Sequence, residues 1–287
     1  MRAKWACKKV LTSVWENQAA WDLQHEMPHK IVGIATGGGS CCIRVAAALR
    51  VFADFGLTHP FTVLNASSGA GGPVVGYLSG HADQTIGIME YLLTHKLLYM
   101  EKKYKTIPVI RLNTKLYEEI PTQHLDKKGL QAHPSICRII AAKEDGSIVL
   151  LDPKKCNAAR AIVASSALWP ACDGIEINGD ILYDAIFTGQ GLPIESALEI
   201  LGDLRPGQRP QILVFQSRLH PKHRPMEARI WPWVVSGLYF QWTAQLKENL
   251  RKIDENFLIT DEKFKGNADV DYGRIAPTPD GHPNPRI

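Results

Sequence analysis

The apolar residues of this chain follow two patterns, short uninterrupted runs and a spacing of three to four residues. Uninterrupted β-branched runs are typical of strands buried on both faces, and the wider spacing is typical of a helix with one buried face. The runs lie at residues 30–35, 61–65 and 211–217, and the helical spacing lies at residues 4–26, 43–56 and from Pro73 onward. Strands and helices that alternate in this order predict a parallel α/β sheet.

Two later segments predict hairpins, because each places a turn dipeptide between apolar runs. Asp145-Gly146 interrupts residues 135–152, and Asn178-Gly179 interrupts residues 174–184. Such dipeptides readily adopt the backbone angles of a tight hairpin turn. Further helices are predicted over residues 84–130, 158–168 and 235–256 and from Pro193 onward.

The predicted elements form one continuous unit, since no repeat or linker separates them. We therefore expect a single domain over residues 30–276. Residues 1–29 predict a helical extension before it, and the proline-rich residues 277–287 predict a disordered tail.

Composition and charge narrow the function classes. The 287 residues are 45% hydrophobic and 22% charged, as in an ordinary globular protein. The net charge of +4 includes no dense Lys/Arg block, which argues against a nucleic-acid partner but leaves weak contact with an anionic membrane surface open. We find no signal peptide and no run of 18 apolar residues, so a cytoplasmic location is expected, with peripheral membrane contact as an option.

The six cysteines form no CxxC pair, so a zinc site is not expected and free thiols in a reducing compartment are the simplest interpretation. The aromatic segment at residues 231–246 is too short and too interrupted to span a bilayer. It predicts a core helix, and lipid contact is the alternative. The sequence indicates no oligomeric state.

A glycine-rich loop follows the first predicted strand. Gly37, Gly38 and Gly39 lie in the segment TGGGS, ahead of a predicted helix. Backbone N–H groups in such a loop can bind a phosphate or stabilise an oxyanion, and the helix dipole assists them. A dinucleotide-binding fingerprint would need a glycine at position 42, where the chain has Cys42, so nucleotide binding is the weaker hypothesis. On its own the loop is also compatible with a simple turn.

The stretch VLNASSGAGG, residues 63–72, places two serines between a buried strand and a helix, which is the setting of a nucleophile elbow. Ser67 has Gly69 at the second glycine position of a GxSxG motif and Asn65 at the first. Ser68 has glycine at neither position. We therefore predict Ser67 as the nucleophile, with helix capping by the same side chain as the alternative.

A serine nucleophile needs a base, and the ten histidines offer none at the end of a late strand. Asp184 stands at such a position. It ends the apolar strand ILY and precedes a loop that runs to Pro193.

The ordered segments IATGGGS, VLNASSGAGG, VASSALWP and ILYDAIFTGQGLPI resemble the patatin-like phospholipases over about residues 30–276. The resemblance implies a three-layer α/β/α sandwich with a mostly parallel central sheet. It implies a catalytic pair of Ser67 and Asp184, and an oxyanion hole at Gly37, Gly38 and Gly39. Asn65 and Gly69 would support the elbow. No metal and no cofactor is implied, and the substrate would be a lipid or a small-molecule ester.

Four positions depart from the family pattern: Cys41 and Cys42 in the glycine loop, Asn65 in the elbow and Ala185 after the aspartate. These departures keep a second hypothesis open, in which a patatin-like protein binds lipid or a partner without hydrolysing it.

Overall fold

The structure is a computed structural model of the chain. It describes residues 2–95, 97–104, 107–169, 171–188, 197, 200–201, 210–215, 217 and 272–275. The helix predicted at 235–256, the aromatic segment at 231–246 and the tail at 277–287 lie outside the described residues.

Ten strands occur among the described residues, and most of them form one mixed sheet. Their bounds are β1 Ile31–Ala35, β2 Val63–Ser67, β3 Leu98–Tyr104, β4 Ile107–Leu112, β5 Ile136–Lys143, β6 Ile148–Leu151, β7 Ile175–Ile177, β8 Asp180–Tyr183, β9 Gln211–Phe215 and β10 Tyr272–Ile275. The hydrogen-bonded order in the main sheet is β10-β9-β1-β2-β5-β8-β7, and β6 also pairs with β5. The five strands from β10 to β5 run parallel to one another.

Seven α-helices have both ends in the described part of the chain; the first precedes β1, and the others lie between strands. They are α1 Arg2–Asp22, α2 Ile43–Asp54, α3 Gly71–Leu78, α4 Ala82–Thr94, α5 Thr114–His124, α6 Lys127–Ala132 and α7 Ala158–Ser165. No helix among the described residues is both long enough and apolar enough to cross a membrane.

The two faces of the sheet carry separate core clusters. On one face, Leu64 and Ala66 of β2 join the larger cluster together with residues of α2, α3 and α7. On the other face, Val32 and Ile34 of β1 pack with Ala197, which lies in a helical stretch. Because helices cover both faces, the fold is a three-layer α/β/α sandwich with a mostly parallel central sheet, and the predicted fold class is confirmed.

The N-terminal helix α1 contributes directly to the larger core. Val10 and Val14 are fully buried in that cluster. The side chain of Asn17 donates to the carbonyls of His29 and Pro60, each at 2.9 Å. These contacts attach α1 to the chain that enters β1 and to the chain that enters β2.

One prediction is wrong in part. Residues 84–130 were expected to be mostly helical, but β3 and β4 form an antiparallel pair within them. The β-branched residues Ile107, Val109 and Ile110 favour a strand, and Pro108 cannot donate a hydrogen bond inside a helix. The edge strand β10 was not predicted at all, although it falls inside the expected domain.

Strand β5 brings the ends of β2 and β8 together. It pairs with β2 as far as Ile140, which lies opposite Ser67, and with β8 from Ala142, which lies opposite Tyr183. β6 pairs with β5 along the same stretch and occupies one edge, so β2 and β8 must share the other edge. β2 is parallel to β5 and β8 is antiparallel to it, so the two strands approach each other end to end. Asp184, the residue after β8, therefore comes level with Ala141, one position beyond the end of β2.

Candidate active site

Two serines form the turn between β2 and α3. Ser67 is the last residue of β2 and has ordinary extended backbone angles, φ −129° and ψ 147°. Ser68 begins a 3₁₀ turn that runs to Ala70, and its φ is +53°. Both serines are buried, with 4% and 6% of their surface exposed. A positive φ is uncommon for residues other than glycine.

The glycine loop after β1 is held in place from two neighbouring strands. Thr36 N–H donates to the carbonyl of Phe215 in β9 at 3.0 Å. Ser217, just beyond β9, donates from its hydroxyl to the carbonyl of Gly37 at 2.6 Å. From the other side, Gly37 N–H donates to Ser67 Oγ at 3.0 Å. The predicted oxyanion loop and the predicted nucleophile turn are therefore in direct contact.

Close packing between the glycine loop and the serine turn explains why glycine occupies positions 37 and 69. A Cβ at Gly37 would lie 2.5 Å from Ser68 Cβ, closer than real carbon atoms approach. A Cβ at Gly69 would lie 3.1 Å from the carbonyl oxygen of Gly39 and 3.2 Å from Cys42 Sγ. Gly39 itself has a φ of +57°, which favours glycine. The loop and the serine turn thus fit together only with small residues on both sides.

The hydroxyl of Ser165, the last residue of α7, lies where β2 and β5 separate. It accepts a hydrogen bond from Ser68 N–H at 2.7 Å and donates one to the carbonyl of Ile140. Two residues further on, the carbonyl of Ala167 accepts a hydrogen bond from Asp184 N–H at 3.0 Å. The end of α7 therefore holds both the serine turn and Asp184.

We expect Ser165→Ala to lower the free energy of unfolding by about 3 kcal/mol, because two buried backbone groups, Ser68 N–H and the Ile140 carbonyl, lose their partner. Ser165 is fully buried, so water cannot take its place. Urea denaturation would measure the loss. The matched control is Ser166→Ala, which removes a half-buried hydroxyl 3.3 Å from that of Tyr117 and should cost less than about 1 kcal/mol. Equal losses in the two variants would contradict the bridging role of Ser165.

Asp184 is buried at the end of β8, with 2% of its surface exposed. One carboxylate oxygen, Oδ1, accepts a hydrogen bond from Ile186 N–H at 3.0 Å. Since Leu182 of β8 belongs to the larger core cluster, and side chains alternate along a strand, the side chain of Asp184 lies on the same face of the sheet. That face is the one covered by α3 and α7.

Tyr117 of α5 lies near Asp184 and was not singled out in the sequence. Burial raises the pKa of Tyr117 to about 12. A hydrogen bond with Ser166 lowers this pKa, while the charges that Cys42 and Asp184 carry when ionised raise it. These electrostatic effects place Asp184 and Cys42 each in the vicinity of Tyr117. The phenol stays protonated at neutral pH and can act only as a neutral polar group.

Asn65 does not occupy the position that the sequence suggests. It lies opposite Arg138 in β5, and its Oδ1 accepts a hydrogen bond from Arg138 N–H at 3.0 Å. Its neighbour Ala66 belongs to the cluster that faces α3, so Asn65 points to the opposite face of the sheet. Its amide nitrogen is buried and has no hydrogen-bond partner among the described residues.

Comparisons with known proteins assign no family to this chain. No protein-family model matches it, and no curated protein matches it. Among solved structures, a chain of the crystal structure of full-length SpcU in complex with full-length ExoU, from the type III secretion system of Pseudomonas aeruginosa, is similar over 82% of this chain. The sequence identity is 13% and the TM-score is 0.32, and this chain spans 57% of the length of that one. A similarity at this level supports no conclusion about function.

The arrangement offers a hydroxyl, a carboxylate and backbone N–H donors. Among the residues that the structure describes, no three His, Cys, Asp or Glu side chains are close enough together to hold a metal ion. The hydroxyl can act as a nucleophile, the carboxylate as a base and the backbone N–H groups as donors to an oxyanion.

Proposed function

We propose that this chain is a serine ester hydrolase of patatin-like type. Its nucleophile is a hydroxyl of the Ser67-Ser68 turn, and its base is Asp184. The observation that supports this proposal is the end-to-end approach of β2 and β8 on one edge of β5. A serine turn and a buried carboxylate, more than a hundred residues apart in sequence, come within one strand position of each other.

The reaction proceeds in two steps with a covalent intermediate. In the first, the serine Oγ attacks the ester carbonyl carbon while Asp184 takes the hydroxyl proton. Collapse of the tetrahedral intermediate breaks the bond to the alkoxy oxygen, which leaves as the alcohol with that proton. In the second step Asp184 takes a proton from water, whose oxygen attacks the acyl-serine. The carboxylic acid departs, and the proton returns to the serine oxygen.

Burial suits Asp184 to accept a proton, because removal from water disfavours the charged form of a carboxyl group. Hydrogen bonds hold both the backbone and the side chain of Asp184. The backbone N–H of Asp184 donates to the carbonyl of Ala167, and Oδ1 of Asp184 accepts a hydrogen bond from Ile186 N–H. These contacts fix the orientation of the group before a substrate arrives, which lowers the entropic cost of the step.

Backbone N–H groups of the glycine loop are the candidates for binding the oxyanion. Gly37 N–H already donates to Ser67 Oγ. Within the described part of the chain, neither Gly38 N–H nor Gly39 N–H donates to a protein acceptor. Gly39 is exposed, and the space beside its Cα is open. Gly38 and Gly39 are therefore the donors that we assign to the oxyanion.

Exposed apolar side chains next to the site favour a lipid substrate. Leu168 and Trp169 directly follow Ala167, whose carbonyl binds Asp184 N–H. They are 36% and 64% exposed. A tryptophan with a free indole face suits contact with acyl chains at a lipid–water boundary.

The proposal is tested by labelling the purified chain with a fluorophosphonate probe, together with hydrolysis of p-nitrophenyl acyl esters of two to twelve carbons. We expect stoichiometric labelling and faster hydrolysis of the longer esters. A double variant, Ser67→Ala with Ser68→Ala, should be folded by circular dichroism and inert in both assays. Folded, unsubstituted protein that neither reacts with the probe nor hydrolyses any of the esters would contradict the proposal.

A further inference from the structure

We infer that the nucleophile is Ser68, and that Ser67 is a positioning residue that fixes the glycine loop. This inference rests on the proposed function and reverses the choice that the spacing of glycines in the sequence favours. Three independent features of the turn support it: the backbone angle of Ser68, the faces of the flanking residues and the hydrogen bond of Ser67.

The backbone angle is the first feature. Three residues other than glycine have a positive φ in the described part of the chain: Gln24, Ser68 and Asn178. Gln24 follows the end of α1, where the helix is capped by a hydrogen bond from His25 N–H to the carbonyl of Ala20. Asn178 lies in the turn of the β7–β8 hairpin. Both are ordinary places for a left-handed residue. Ser68 is at neither kind of site.

Instead, Ser68 lies at a buried junction where a strand passes directly into a helical turn. That is where a nucleophile elbow holds its serine in a strained conformation, so that the side chain projects from the end of the sheet. Ser67 has the extended angles of a normal strand residue. Strain in a folded protein persists where the surrounding structure imposes it, and it is concentrated at functional sites.

The faces of the flanking residues are the second feature. An elbow needs small residues two positions before and two positions after the nucleophile, where strand and helix cross. Ala66 and Ala70 both lie in the core cluster that faces α3. They flank Ser68 at those two positions. For Ser67 the corresponding residue would be Asn65, which points to the opposite face and is not at the crossing.

Asp184 lies on the face of Ala66 and α3, as its neighbours Leu182 and Tyr117 show. Ser67 is paired with Ile140, which belongs to the small cluster on the other face. Directly opposed residues project to the same side of a sheet, so the Ser67 hydroxyl points away from the face of the carboxylate.

The hydrogen bond of Ser67 is the third feature. Its Oγ accepts the N–H of Gly37 at 3.0 Å, and so it connects the end of β2 to the loop that carries Gly38 and Gly39. Gly37 in turn leaves room for Ser68, since a Cβ there would lie 2.5 Å from Ser68 Cβ and 3.3 Å from its Oγ. One serine thus anchors the loop, and the other lies against it.

The experiment is fluorophosphonate labelling of four proteins, with tandem mass spectrometry that cleaves between the two serines. In the unsubstituted chain we expect the adduct on Ser68. Ser68→Ala should lose labelling by at least about 1,000-fold, and Ser68→Gly serves the same purpose should the alanine variant not fold. Ser67→Ala should still be labelled on Ser68, about 10-fold more slowly, because the glycine loop loses its anchor. Ser67→Thr keeps an oxygen for Gly37 N–H and should restore most of that rate.

An adduct on Ser67, or undiminished labelling of folded Ser68→Ala, would overturn the inference while leaving the proposed function intact. Absence of labelling in the folded, unsubstituted protein would contradict the proposed function, and this inference with it. A slow Ser67→Thr variant that labels no faster than Ser67→Ala would overturn the positioning role of Ser67.

Discussion

Asp184→Asn is expected to lower kcat/KM for ester hydrolysis by about 1,000-fold while the protein remains folded. Asparagine has the same shape, and its Oδ1 can still accept the hydrogen bond from Ile186 N–H that the structure shows at 3.0 Å. It cannot take a proton from a serine hydroxyl at neutral pH. The measurement is steady-state hydrolysis of a p-nitrophenyl ester, with the melting temperature as the check on folding.

The matched control is Asp180→Asn, which removes a carboxylate from β8, the strand that Asp184 directly follows. Asp180 pairs with Lys143 at 2.8 Å, and both side chains are well exposed. An exposed pair contributes little to stability, and Asp180 is not part of the proposed site, so hydrolysis should stay within about twofold of the unsubstituted rate. A folded Asp184→Asn variant with the activity of this control would remove Asp184 from the mechanism.

Ser68→Gly is expected to abolish hydrolysis and to raise stability. Glycine adopts a φ of +53° without the steric penalty of a side chain, which is about 1–2 kcal/mol for other residues. Its greater freedom in the unfolded chain offsets roughly 0.5–1 kcal/mol of that gain. A net increase of about 1 kcal/mol would raise the melting temperature by about 2–4 °C.

Ser67→Gly should change stability in the opposite direction, and this contrast makes the measurement decisive. Ser67 has extended backbone angles and accepts a hydrogen bond from Gly37 N–H, so glycine there loses an interaction and relieves no strain. Thermal denaturation should show a lower melting temperature for Ser67→Gly and a higher one for Ser68→Gly. The same sign for both substitutions would mean that Ser68 is not strained.

The fold was largely predictable, because its signals are local. Buried strands appear as uninterrupted apolar runs, and the hairpin at Asn178-Gly179 is predictable from its turn dipeptide. Both turn residues have the positive φ that such a turn needs, 56° and 86°. The strands β3 and β4 were missed because a charged segment, MEKKYK, resembles an exposed helix unless its later β-branched residues are given more weight. The short edge strand β10 has too few residues to form a pattern.

The site was predictable in its parts but not in its arrangement. The glycine loop, the serine pair and Asp184 each follow a strand, which sequence patterns can locate. Which serine faces the carboxylate depends on where β2 ends. The sequence places that end at residue 65, whereas the structure places it at Ser67. Ser165 contacts Ser68 across 97 positions of the chain, and no local pattern indicates a contact of that range.

The register of β2 and β8 on strand β5 sets the distance between the nucleophile turn and Asp184. Ser67 is level with Ile140 and Tyr183 is level with Ala142, so Asp184 comes level with Ala141, one strand position or roughly 3.3 Å beyond Ser67. A slip of β8 by one position would move Asp184 by one residue and turn its side chain to the opposite face. We therefore expect insertions and deletions in the β7–β8 hairpin to be tolerated at the Asn178-Gly179 turn. Between Leu182 and Asp184 they would change the register of Asp184 on β5 and so abolish the proposed activity.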